Sequence, residues 1–130
     1  YAASYIEEVY PDGSYWEVTI EEHAVPSVRA AQSKSGTKTG KYTDKNGKVL
    51  WSVTVSGTFT YNGTSASCTK SSVSILDASI NWTVSDQSAW RSGATAYASA
   101  IGHEKNSLGQ EMRTLYRQVS LTCSPEGKLS

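Results

Sequence analysis

Long apolar runs are missing from this chain. No segment approaches the length needed to cross a bilayer as a helix, so a membrane span is not expected. Charge is scarce as well: Asp, Glu, Lys and Arg make up 18% of the residues and cancel to a net charge of zero. With so few cations, and no cluster of them interleaved with aromatics, a nucleic-acid surface is not expected either. Glycine patterns of the Walker or Rossmann type are absent, and no G-x-S-x-G elbow occurs. Only two cysteines and two histidines are present, and the cysteines are not in CxxC spacing, which argues against zinc and thioredoxin-type chemistry. Neither a cofactor nor a metal is expected.

Ser and Thr fill the gap, at roughly a quarter of the chain, alongside four Trp and eight Tyr. Disordered chains combine low hydrophobicity with high net charge and few aromatics, which is not the pattern here. Hydroxyl-rich, aromatic-bearing sequence punctuated by glycine suits β-sheets with one buried and one polar face. At 130 residues the chain amounts to one domain able to bury its own core.

Strand grammar is clearest from Val49 to Tyr61. Val49, Trp51, Val53, Val55, Phe59 and Tyr61 alternate with Leu50, Ser52, Thr54, Ser56, Thr58 and Thr60, a period of two. Asn46-Gly47 and Asn62-Gly63 supply turn chemistry at either end. Gly57 falls on the apolar side, where a bend, a bulge or a close backbone approach is the usual reason. The pattern Trp-x-Val-Thr/Ser occurs at Trp16, Trp51 and Trp82. Irregular spacing excludes a solenoid repeat; the three tryptophans are read as core residues, each indole N–H needing an acceptor.

The first strands read as an acidic hairpin turned by Pro11-Asp12-Gly13, either an appendage, a strand pair added to the main sheet, or an arm that pairs with a neighbour. Residues 1–23 are assigned to this hairpin arm, 24–36 to a linker containing Pro26, and 37–130 to the main domain. Six acidic residues precede Arg29; Arg29 and five lysines follow. These segments are either two solvated faces or surfaces lying against each other. Later, Ile80, Trp82 and Val84 are placed on one strand face. The alanines 94–100 mark a strand, either with Tyr97 and Ile101 inward or with a second sheet close over the alanines. In the last strand Leu115, Val119, Leu121 and Cys123 share a face with Arg113 and Arg117. That strand must therefore leave the core or shift register before Val119. The expected fold is an all-β, two-sheet antiparallel β-sandwich, immunoglobulin-like or jelly-roll-like, with an N-terminal β-hairpin arm.

Cys68 and Cys123 admit four readings: a disulfide, two buried thiols, a nucleophile, or an intermolecular bridge. No activating base lies near either in sequence, which favours the disulfide. It would close a loop of more than fifty residues, worth about 4 kcal/mol in the chain-entropy model, and would require an oxidising compartment.

Catalytic residues are not assigned. His23 beside Glu21-Glu22 and His103 beside Glu104 lack a closed ligand set, and the carboxylate pairs show no sign of facing each other across a cleft. Nothing in the sequence orients a histidine toward a particular serine. Trp90 and Arg91, in a loop-like stretch outside the Trp-x-Val pattern, are the candidate ligand contacts. Asn62-Gly63-Thr64 and Asn81-Trp82-Thr83 match the glycosylation sequon.

The stretch "KTGKYTDKNGKVLWSVTVSGTFTYNGTSASCT" and the end "VSLTCSPEGKLS" resemble a group of small secreted proteins of Gram-positive gut bacteria, over about Lys34 to Ser130. The resemblance implies export behind a cleaved signal and a Cys68–Cys123 bridge. It implies no activity. The function expected is therefore that of a secreted, non-enzymatic protein acting through its surface, on a protein partner or on itself by strand addition. The alternatives are a carbohydrate-binding module and a small secreted hydrolase using a histidine and a carboxylate.

Overall fold

A computed structural model describes residues 2–24 and 32–130. These residues form eight strands and no helix: β1 (Ala2–Val9), β2 (Tyr15–Ala24), β3 (Gln32–Thr43), β4 (Val49–Tyr61), β5 (Ala66–Asp77), β6 (Trp82–Ser92), β7 (Thr95–Lys105) and β8 (Glu111–Thr122). The first five make one antiparallel sheet in chain order, and the last three make a second sheet, also in chain order. The fold is thus an all-β sandwich of five strands over three. Within each sheet every strand pairs with its chain neighbour, as in a meander, and the chain passes from one sheet to the other between β5 and β6. The crossing connections of immunoglobulin-like and jelly-roll-like sandwiches are not present among the described strands.

The expected N-terminal hairpin is present as β1 and β2, and it is a strand pair added to the main sheet. β2 pairs with β3 from Tyr15↔Thr43 to Ala24↔Lys34, and Trp16, Val18 and Ile20 belong to the core. Their period-two apolar face continues the buried wall of β3 and β4, and burying it is what draws the hairpin into the sheet. Residues 24 and 32–36 of the expected linker are strand; its remainder, 25–31 with Pro26 and Arg29, lies outside the described residues. The acidic and basic segments do lie against each other: Glu17 faces Lys41 across the β2–β3 ladder, and Lys34 reaches Glu22 at 3.5 Å.

The expected wall is present. Trp51, Val53, Val55 and Phe59 are buried on β4, facing Ala96, Ala98 and Ala100 of β7 and Val119 and Leu121 of β8. The alanines are small because the other sheet packs close over them, the second of the two arrangements considered above. At Gly57 the crowding comes from side chains rather than from backbone: a Cβ there would meet the Phe59 ring and lie 3.0 Å from Ala96. On the outer side, Ser4, Thr19, Thr39, Thr54 and Ser74 stand in register across all five strands. Within that row, hydroxyls pair at 2.9 Å between Ser4 and Thr19 and between Thr39 and Thr54.

Trp16, Trp51 and Trp82 are all buried. Trp16 and Trp51 meet at 5.3 Å, and Trp82 packs on Tyr42 at 5.0 Å. The expected acceptors for the first two are missing, since neither Nε1 has a hydrogen-bond partner. The reason is positional. The Ser/Thr hydroxyls face outward, whereas these rings lie over the glycine backbones of Gly40 and Gly102, where a Cβ would overlap the indoles. Ile80 is a correction: it precedes β6 in a turn and is fully open to water, so only Trp82 and Val84 turn inward.

Arg113 and Arg117 neither leave the core nor force a shift before Val119, because the β7–β8 register is regular from Thr95↔Thr122 to Glu104↔Arg113. They stay on the inward side and cover its aromatics. The Arg113 guanidinium sits 5.4 Å from the Tyr42 ring and 5.2 Å from Trp82, and donates to the Tyr42 hydroxyl at 2.7 Å. Arg117 lies 4.6 Å over Trp16 and is held by Glu7 and Glu8 of β1, each at 2.6 Å. Cations over electron-rich ring faces are attracted to them. Nearby, Lys38 also points inward. Burial holds its ammonium below the ordinary lysine range, and Glu7 pulls it partly back.

Candidate functional site

The two residues singled out as ligand contacts are placed apart. Both lie in β6 rather than in a loop. Trp90 is on the outer side of the three-stranded sheet, 38% exposed, and stacks on Tyr97 at 5.3 Å with ring planes 5° apart. Arg91, its neighbour in an alternating strand, points the other way and donates to the Cys68 carbonyl at 3.0 Å. There it lines a concavity of ≈ 540 Å³ together with His23, Lys70 and hydroxyls such as Thr37, Ser56 and Ser72.

The cysteines flank one turn. The Cys68 N–H bonds to the Gly93 carbonyl at 2.8 Å, and the Cys123 N–H to the Ala94 carbonyl at 3.0 Å. The expected bridge is not formed in the structure: both residues are buried free thiols. Each thiol turns toward a nearby backbone carbonyl, that of Lys70 for Cys68 and that of Ser124 for Cys123. Burial pushes both thiols above the ordinary cysteine range. A raised thiol pKa disfavours the thiolate that a nucleophile needs.

The carboxylate pairs are occupied. Glu7 and Glu8 hold Arg117, while Glu22 accepts from Lys34 and from the Leu129 N–H. His23 and His103 sit on different sheets. Among the described residues, no group of three or more His, Cys, Asp and Glu is arranged to hold a metal.

His103, however, is oriented toward one serine. β6 carries a bulge: Ser85 pairs with Ile101 and Ser88 with Ser99, leaving Asp86 and Gln87 outside the register. Bulges re-aim side chains, and Asp86 takes a φ of 56°, unusual for a residue with a Cβ. Just before the bulge, the Ser85 hydroxyl lies 2.6 Å from His103 Nε2. On the other side of the imidazole, Nδ1 is bonded to the Glu111 carboxylate at the start of β8. A carboxylate at Nδ1 fixes the ring tautomer and leaves Nε2 to accept from the serine. Asp86 Oδ2, at 3.2 Å, is a second acceptor for the same hydroxyl. The three residues come from three strands and from sequence positions 18 and 8 apart. Only the register of the second sheet brings them together, so the sequence offers no local signal for them beyond a histidine in a strand.

No family model matches the chain, and no curated protein and no solved structure is found to be similar to it.

Proposed function

We propose that this protein works outside the cell by surface contact, and that the contact is made through the free edge of β1, with a second copy of the chain. The observation that carries this reading is the state of that edge. Among the described residues β1 has a single strand partner, β2, and its first half, Ala2–Ile6, is regular and free of Lys, Arg and Pro. Tyr5, Ile6 and Val9 are all exposed along it. An edge of this kind offers unpaired N–H and C=O groups, and natural sheets normally blunt it with charge, proline or cover. The edge of β5, by contrast, lies along β6. Two copies of β1 pairing antiparallel would give a closed two-fold dimer. In light scattering, the average mass should rise from 14.0 kDa toward twice that value with concentration, and Ile6→Lys should hold it at the monomer. A mass constant at the monomer value at millimolar concentration would remove the reading. The extracellular assignment is supported by Cys68 and Cys123, both buried and both bonded through their N–H groups to the one turn at Gly93-Ala94, which we take to join in an oxidising compartment. The same sample, unfolded in guanidinium and alkylated without reductant, should then take up no label, whereas two labels would place the protein in a reducing one.

A second reading, carbohydrate binding, is favoured by the flat Trp90–Tyr97 pair and by the hydroxyl-lined concavity beside Arg91. A glycan array comparing wild type with Trp90→Ala and Arg91→Ala tests both places at once. Signal lost in one variant locates the site. An array that stays blank, or that both variants leave unchanged, removes the reading.

A further inference from the structure

We infer that Ser85, His103 and Glu111 form a hydrolytic site for esters with small acyl groups, an activity beyond surface contact and independent of it. The geometry is that of an activated hydroxyl: an acceptor nitrogen 2.6 Å from Ser85 Oγ, and a carboxylate holding the far nitrogen of the same ring. Such a nucleophile–base–orienter line is recognised by geometry and not by sequence order. The second observation is the backbone. Asp86, next to the serine, is held at positive φ within a bulge, and residues held in such conformations cluster at functional sites.

In the first step the Ser85 oxygen bonds to the ester carbonyl carbon and its proton passes to His103 Nε2. The carbon–alkoxy bond then breaks, and the alcohol leaves with that proton. Water next adds to the acyl-serine, giving its proton to Nε2, which returns it to Ser85 as the acid departs. Water is the only co-reactant, and ester plus water becomes acid plus alcohol. The oxyanion would need N–H donors, and those next to Ser85 in the chain belong to the bulge residues Asp86 and Gln87. Ser85, Ile101 and Tyr116 stand in one row across the sheet, with Tyr116 exposed. The acyl group would rest on that apolar strip, where Ile101 and Tyr116 give a short acyl chain its contact and a longer one little more. The step suits an alkoxide leaving group better than the poorer amine of an amide. Ser85 and His103 act on the reacting atoms; Glu111 is a positioning residue.

The test is to treat the folded protein with a fluorophosphonate and map the adduct by peptide mass, alongside p-nitrophenyl acetate hydrolysis. The expected result is an adduct on Ser85, with hydrolysis at least tenfold slower in Ser85→Ala and in His103→Asn. Glu111→Ala should slow both readouts and Glu111→Asp should restore part of the rate, at an unchanged thermal midpoint. Labelling of the wild-type protein needs no variant to fold. Absence of an adduct at Ser85, or a Ser85→Ala protein that hydrolyses the ester as fast as wild type, would overturn the inference.

Discussion

Gly40→Ala is expected to lower stability by about 3 kcal/mol, the upper part of the range for overpacking a core. The added methyl would fall inside the Trp16 indole. That ring has little room to retreat, because Trp51 is packed on it at 5.3 Å and Arg117 lies 4.6 Å over it. A flexible side chain would yield at small cost; a wedged indole moves only with its neighbours. Gly47→Ala is the control. A Cβ at Gly47 meets nothing within 4 Å, but its φ is 88°, so that variant carries backbone strain alone, about 1 kcal/mol. Urea unfolding of both variants measures the difference. If Gly40→Ala costs no more than Gly47→Ala, the seating of Trp16 on the β3 backbone is wrong.

Arg117→Ala comes next, with an expected loss of about 2 kcal/mol. Two effects combine there. The guanidinium covers one face of Trp16, and it is the cation between Glu7 and Glu8. Its side chain is 15% exposed, whereas the carboxylates are 45% and 50% exposed. Breaking a fully buried pair costs about 3–5 kcal/mol and an exposed one at most about 1 kcal/mol, so an intermediate figure follows. Arg117→Met separates the two effects, since it keeps an aliphatic cover on the indole and removes the charge. The methionine variant should recover about half of the loss, and the deficit that remains should shrink in high salt as screening weakens the pair in the wild type. Both variants unfolding within about 0.5 kcal/mol of wild type, the range of an ordinary surface change, would show that the link between β1 and β8 is incidental.

Both predictions concern contacts that pattern reading handles badly. Arg113 and Arg117 share a strand face with Leu115 and Val119, and the alternation alone looks like a contradiction to be relieved by leaving the core. The structure resolves it otherwise: a guanidinium can lie on an aromatic ring and still reach acids at the rim. The same limit explains Ile80. Its spacing from Trp82 and Val84 places it inward only if the strand has already begun, and a turn precedes Trp82 instead. The indoles of Trp16 and Trp51 expose a third limit. Abundant hydroxyls in the sequence suggested acceptors, yet alternation sends those hydroxyls to the opposite face of the sheet.

The candidate ester site was less legible still. A histidine beside a glutamate at His103-Glu104 drew attention to the wrong carboxylate, since adjacent strand residues point to opposite faces. The partners are Ser85, across a bulge, and Glu111, across the next hairpin. Trp90 and Arg91, adjacent in sequence, were grouped for the same reason and are separated by the pleat.

What the sequence determined by itself is whatever depends on neighbours one and two residues away. The strand periods, the glycine turns, the buried wall from Val49 to Tyr61 and the two-faced all-β character all follow from side chains alternating across a pleat. Only the tertiary structure decided which strands lie side by side, that the acidic hairpin joins the main sheet, and that one histidine faces one serine. Those outcomes depend on register between distant segments, where a slip of one residue exchanges the two faces, and register is settled by the packing of the whole core.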